Sequence, residues 1–170
     1  MASIDEILAQ NSGIRLDIGC GEFKDEGWVG LDMRAVQGVD IVQDVEVQPW
    51  DLPDECVTIA KASHLVEHIN PSKFGFINFM NEVWRILKVG SDFAIATPHG
   101  YSPGYLQDPT HCNPCNENTW RYFDPEAGGL WNIYKPKPWQ IRALFWDPAG
   151  NIEVVLRKRE LVSNMNGTPE

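Results

Sequence analysis

Two short apolar runs, closely spaced, set the main constraint on how this chain can fold. Residues 14–18 read as a buried strand that stops at Gly19-Cys20-Gly21, and residues 28–31 read as a second strand that stops at Asp32. Only the eight residues 22–29 separate Gly21 from Gly30. Parallel neighbouring strands need a connection of about a dozen residues, usually a helix. This spacing leaves room for a loop or a single turn around Phe23-Lys24-Asp25-Glu26-Gly27. The first crossover helix is therefore predicted to be reduced, with one face of the sheet less covered than usual near its edge.

The rest of the chain supplies the other strands. A short run over residues 38–44 ends on Asp44, and residues 56–62 form a fourth strand that leads into Ser63-His64. Asn70 can cap a helix whose first position is Pro71. Phe76, Met80, Val83 and Leu87 follow helical spacing, with Ile77 and Trp84 widening the stripe. Val89-Gly90 is predicted to end that helix, since glycine accepts the left-handed cap. Residues 93–97 read as a fifth strand stopped by Pro98. Residues 141–145 and 152–159 read as two more, joined by the turn Asp147-Pro148-Ala149-Gly150-Asn151. Ser3-Ile4-Asp5-Glu6 reads as a capping box opening a short helix to about Gln10, and residues 163–170 as a polar tail. The order predicts one α/β domain over residues 1–170, with a mostly parallel sheet and a C-terminal antiparallel hairpin. Residues 98–137 are proline-rich and aromatic, too apolar for disorder and long for a loop. They are predicted to be a folded functional loop.

Composition narrows the partners. The formal charge of −10 argues against extended contact with a nucleic-acid backbone, though not against a nucleotide. No segment approaches the ~20 apolar residues of a membrane helix. The first ten residues carry two acids and no base, unlike a signal peptide. Cys20, Cys56, Cys112 and Cys115 form no disulfide framework, so a reducing cytoplasm is expected.

The chemistry concentrates at the strand ends. Glycines at 19 and 21 let the backbone pass close to a ligand, and a carboxylate at the next strand tip can accept both hydroxyls of a ribose. An adenosine-bearing cofactor follows from the pair. Asp40, at the start of a strand, reads as a solvated turn residue. His64-Leu65-Val66-Glu67-His68 matches a zinc-protease pattern, but Asn70-Pro71 leaves barely a helical turn for it. Anchoring of that turn by Glu67 and His68 is the plainer reading. His111 with Cys112 and Cys115 could form only half of a metal site, which His99 or His64 would have to complete, and no metal is assigned. Asp108 and His111 follow the fifth strand, where parallel sheets bind ligands. A loop histidine beside an acid can act as base, so His111 oriented by Asp108 is the first catalytic candidate and His99 the second. Trp120, Tyr122 and Phe123 are either pocket wall or loop core.

Taken together, Leu16-Asp17-Ile18-Gly19-Cys20-Gly21, Gly30-Leu31-Asp32, Asp44, Ala62 to Ile69, and Arg85-Ile86-Leu87-Lys88-Val89-Gly90 resemble the class I S-adenosylmethionine-dependent methyltransferases, most closely the small type 11 group. The resemblance spans residues 14–98. It implies a Rossmann-like sheet of order 3-2-1-4-5-7-6 with the seventh strand antiparallel. It implies S-adenosyl-L-methionine as cofactor, with Asp17, Gly19 and Gly21 at the methionine, Asp32 at the ribose, Asp44 and Val45 at the adenine, and Ser63 and His64 near the sulfonium. The chain departs from the pattern at Phe23, where a third glycine is frequent, and at Thr58, where an Asp often stands. The activity implied is methyl transfer to a small-molecule or nucleotide-like acceptor. A non-catalytic cofactor-binding or partner-binding protein on the same fold is the alternative.

Overall fold

The computed structural model describes residues 4–9 and 13–161. The Ser3 cap, the helix end at Gln10 and the tail over 163–170 lie outside the described residues. In chain order the elements are α1 (Ile4–Ala9), β1 (Ile14–Ile18), β2 (Val29–Asp32), β3 (Ile41–Val42), β4 (Val57–Ser63), α2 (Gly75–Ile86) and β5 (Leu87–Pro98). Then come α3 (Pro103–Leu106), α4 (Glu117–Arg121), α5 (Trp131–Tyr134), β6 (Trp139–Trp146) and β7 (Asn151–Lys158).

The strands form one seven-stranded sheet of order β3-β2-β1-β4-β5-β7-β6. β1 to β5 pair in parallel, while β7 runs antiparallel to both of its neighbours. This is the predicted Rossmann-like arrangement with its terminal hairpin. The strand order reverses between β1 and β4, so loops leaving those two strands splay apart and open a crevice at their carboxyl ends.

One face of the sheet carries the core. Leu16, Ile18, Ala60, Ala62, Phe93, Ile95, Val154 and Leu156 are buried there, with Phe76, Phe79, Met80, Val83 and Ile86 of α2 and with Trp120, Phe123 and Trp139. The other face carries Arg15, Asp17, Lys61, Ala94, Glu153, Val155 and Arg157. Several of these stand opposite one another in register, as in Asp17↔Lys61, Lys61↔Ala94 and Ala94↔Val155. Among the described residues no helix lies between β1 and β2, so this face lacks its usual first cover. Trp28 substitutes locally: the Arg15 guanidinium lies 5.5 Å and the Lys61 ammonium 4.8 Å from its ring. Arg15 also donates to the Gly27 carbonyl at 3.2 Å, and Lys61 pairs with Asp25.

Three local expectations need correction. The helix does not begin at Pro71. Asn70 Oδ1 accepts from the Ser72 amide at 2.9 Å and opens a separate 3-10 turn, Ser72–Phe74, which closes on left-handed Lys73 and Phe74. Nor does Gly90 end the helix. Leu87 is already extended, since pairing with Val57 buries it where another helical turn would not. Gly90, at φ +80°, falls instead within a register shift of β5 between Leu87 and Asp92. The third strand is also shorter than the predicted 38–44, because only Ile41 and Val42 find a partner in β2. Residues 98–137 fold around three short helices.

Candidate functional site

The glycine turn after β1 is built on unusual backbone. Gly19 and Gly21 have φ of +73° and +53°, which L side chains resist. A Cβ on Gly19 would stand 2.9 Å from the Leu65 side chain, so the glycine also lets the loop after β4 close over it. Asp32 ends β2 at 7% exposure. Its Oδ2 accepts from the Gly21 amide at 2.9 Å. Its Oδ1 accepts from the Arg34 amide at 2.9 Å and from Arg34 Nε at 3.2 Å. Burial alone would raise the Asp32 pKa, but these donors outweigh it and the carboxyl lies below its ordinary value.

The other first-crevice residues have distinct environments. Asp17 is buried and paired with Lys61 Nζ at 3.2 Å. Desolvation dominates there, and its pKa is raised despite the lysine. Asp44 is exposed and its Oδ1 accepts from the Glu46 amide at 2.9 Å, with Val45 packed against the core. Asp40 is not a free turn residue: its Oδ2 takes the Gly30 amide at 2.8 Å and Lys24 Nζ at 2.5 Å, which fixes the edge of the sheet. Burial pushes the Cys20 thiol up to about 11, so this cysteine is a packed neighbour of the glycine turn rather than a nucleophile.

A second cluster forms where the loop after β5 folds back on the turn after β4. The amides of Cys112 and Asn113 donate to the Glu67 carbonyl at 2.9 and 3.0 Å, and Asn113 Nδ2 donates to the Val66 carbonyl at 2.9 Å. These bonds bring Asp108 and His111 to His64, Glu67 and His68. Together the five line a cleft of about 420 Å³. Ser63 ends β4 and pairs with Ala96, and His64 follows in left-handed backbone. Glu67 is fully buried. Its Oε2 accepts from Thr97 Oγ1 at 3.0 Å and its Oε1 meets His64 Nδ1 at 3.2 Å. That bond to Glu67 raises the His64 pKa against some desolvation.

His111 is held differently from the expectation. Its Nδ1 lies 2.9 Å from the Tyr105 carbonyl, which only accepts, so Nδ1 carries the proton and Nε2 is left with its lone pair. Asp108 stands 3.8 Å from that Nε2, beyond hydrogen-bond reach. The orienting group is therefore the Tyr105 carbonyl, and Asp108 instead accepts from the Thr110 amide at 2.8 Å and hydroxyl at 2.6 Å. Those Thr110 bonds hold the Asp108 carboxyl below its ordinary pKa.

His99 is not brought to this cleft. Its Nδ1 accepts from the Tyr101 amide at 3.1 Å, its Nε2 faces Glu117 at 3.5 Å, and its ring lies against Trp146 at 4.1 Å. With both nitrogens committed it serves the packing of the loop. The zinc-protease helix is absent, since Val66–His68 is a single 3-10 turn. Nor do Cys112 and Cys115 make a site with His111. Cys112 is exposed and donates to the His68 carbonyl at 3.3 Å, whereas Cys115 is buried with its thiol pushed up to about 12. The aromatic question divides. Trp120 and Phe123 are core, packed edge-on against Phe76, while Tyr122 lines a separate apolar cleft of about 380 Å³ with Tyr134.

Comparison with solved structures settles the architecture. A SAM dependent methyltransferase from Archaeoglobus fulgidus superposes with a TM-score of 0.61 at 18% identity, covering 92% of this chain and 95% of that one. The fold is that of the class I methyltransferases. A SAM-dependent methyltransferase from Methanosarcina mazei matches at TM-score 0.59 and 14% identity, over 93% of this chain and 99% of that one. The cyclase SpnF matches at 0.58 and 15%, over 92% and 80%. No protein-family model and no curated protein matches the sequence. In the methyltransferase frame the glycine turn and Asp32 lie at the carboxyl ends of β1 and β2, and the histidine cluster lies past β4 and β5. Sequence reasoning missed Arg34, Tyr105 and Thr110. An arginine two residues beyond the β2 carboxylate was a signal for the first; the other two act only through folded contacts.

Proposed function

We propose that this protein binds S-adenosyl-L-methionine and transfers its methyl group to a small-molecule acceptor, in a reducing cytoplasm that its four unpaired thiols suit. The observation that carries the reading is the buried Asp32 carboxylate at the end of β2, beside the Cβ-free Gly21 that follows β1 at the edge of the β1–β4 crevice. The residues fit the cofactor. Asp32 would take the ribose hydroxyls, Gly19 and Gly21 would let the backbone approach the methionine portion with Asp17 behind them, and Asp44 and Val45 would meet the adenine. When bound, the cofactor supplies an electrophilic methyl carried on a sulfonium. Ser63 and His64 would border it, and the cleft of His64, Glu67, His68, Asp108 and His111 would receive the acceptor. His111, held through Nδ1 by the Tyr105 carbonyl with Nε2 left for chemistry, is the base this cleft offers. The acidic surface disfavours extended nucleic acid as acceptor.

Calorimetry tests the cofactor. Wild type should bind S-adenosylmethionine or its demethylated product and should not bind NAD. Asp32→Ala should lose about 1.5–3 kcal/mol of that affinity, the scale of hydrogen bonds to a charged group. Absence of heat with either adenosyl ligand on folded protein would end the proposal. A binding protein without turnover is the second reading. It is favoured by Arg34, whose side chain occupies part of Asp32, and labelled methyl transfer across a panel of acceptors separates the two.

A further inference from the structure

The histidine cleft holds more than a base. Among the described residues, Glu67, His68 and His111 place one donor atom each within 4.8 Å of one another. They come from two segments more than forty residues apart that the fold pins together by the Glu67 and Val66 carbonyls. The protonation pattern follows from the partners. Thr110 Oγ1 donates to Asp108, at 2.6 Å, so it must accept from His68 Nδ1 at 3.1 Å. In its neutral form His68, like His111, thereby has its hydrogen on Nδ1 and its lone pair on Nε2. Both rings meet an oxygen acceptor through Nδ1, and a second-nitrogen hydrogen bond of this kind is what fixes imidazole ligands around metals. The rings meet nearly edge to face, at 4.7 Å and 67°. Glu67, which lines the cleft, adds a carboxylate braced by Thr97 and His64, with acceptor capacity left on each oxygen.

We infer that Glu67, His68 and His111 form a binding site for a divalent transition-metal ion, zinc or ferrous iron in character. Two imidazoles and one carboxylate suit such ions and leave coordination positions open. Ligand atoms at about 2.0–2.1 Å from a metal stand roughly 3–4 Å apart, so small rotations of the exposed His68 ring close the set. The 420 Å³ cleft lies on the open side. Metal binding rests on the ligand geometry alone; its part in catalysis rests on the function proposed above. There, an acceptor hydroxyl bound to the ion would lose its proton to water at neutral pH, since zinc lowers the pKa of a bound water to about 7. The O–H bond breaks as the metal–oxygen bond forms, and His111 then serves as ligand instead of as base.

The test uses the untagged full chain, stripped with chelator and titrated with Zn²⁺ by calorimetry and with Co²⁺ by visible absorption. One ion per chain is expected. His68→Ala and His111→Ala should each weaken Zn²⁺ binding by about tenfold or more, and Thr110→Val, which frees the His68 ring without removing a ligand, by about 10-fold. His99→Ala should bind as wild type does. Absence of binding to wild type, or equal binding by the His68 and His111 variants, overturns the site. S-adenosylmethionine titrations and melting curves on the same samples show that each variant is folded. Cofactor binding without metal binding refutes the metal site only; metal binding without cofactor binding refutes only the methyltransferase reading.

Discussion

At the scale of single residues, Arg34 decides how the ribose carboxylate is presented. A carboxylate has about four lone-pair positions, and Arg34 and Gly21 take three of those on Asp32. Two ribose hydroxyls therefore need the Arg34 side chain to leave Oδ1, while its amide and that of Gly21 stay. The Arg34 side chain is 63% exposed, so its hold is weakened by solvent screening. Arg34→Ala should leave the fold unchanged and tighten S-adenosylmethionine binding by up to about 1 kcal/mol. Weaker binding by this variant in calorimetry would make Arg34 a ligand contact in its own right.

Single elements show how local rules bend to tertiary contacts. Gly75 opens α2, where alanine would ordinarily be favoured by about 1 kcal/mol. A Cβ there would stand 2.2 Å from the Asn70 carbonyl, because the Asn70–Phe74 turn doubles back over the helix start. Backbone cannot yield as a flexible side chain can. Gly75→Ala should therefore destabilise by about 1–3 kcal/mol, the cost of overpacking, when measured by urea unfolding. A more stable variant would mean that the turn does not sit over the helix. The other end of α2 follows the same logic: Lys158 Nζ donates to the Leu87 carbonyl at 2.7 Å, so the strand claims the residue that the helical stripe had seemed to own.

For the molecule as a whole, the missing first crossover leaves a charged sheet face in place of a second helical layer. Lys61 pairs with Asp17 and Asp25 there, and Arg15 and Lys61 both lie over Trp28, the apolar lid. Trp28→Ala should cost about 1–3 kcal/mol of stability, from lost apolar cover and two cation–π contacts. It should also lower cofactor affinity, because this face supports the β1 and β2 ends that carry the glycine turn and Asp32. A urea curve matching wild type would show that the charges hold this face without the indole.

The sheet was legible because strand-forming runs, glycine turns and the short 22–29 connection are local: each follows from spacing and side-chain chemistry within a few residues. The cofactor-side positions Gly19, Gly21 and Asp32 were legible for the same reason, since a turn with positive φ and a carboxylate at a strand tip are written in neighbouring residues. The histidine cleft was not. Glu67 and His68 stand some forty residues from Asp108 and His111, and only hydrogen bonds between two folded loops put them around one space. Asp108 was misjudged as the group orienting His111 for another reason, since it and Tyr105 are both near His111 in the chain and spacing does not say which oxygen the ring meets. Nearness in sequence suggested the carboxylate, whereas the fold supplied the Tyr105 carbonyl. His99, adjacent to the fifth strand, looked equally suited to chemistry, yet Glu117 and Trp146 draw it into the packing. Sequence alone determined which elements could form and which residue types ended them; the tertiary structure decided which polar atoms met, because hydrogen-bond partners are chosen by ångström distances that no spacing along the chain encodes.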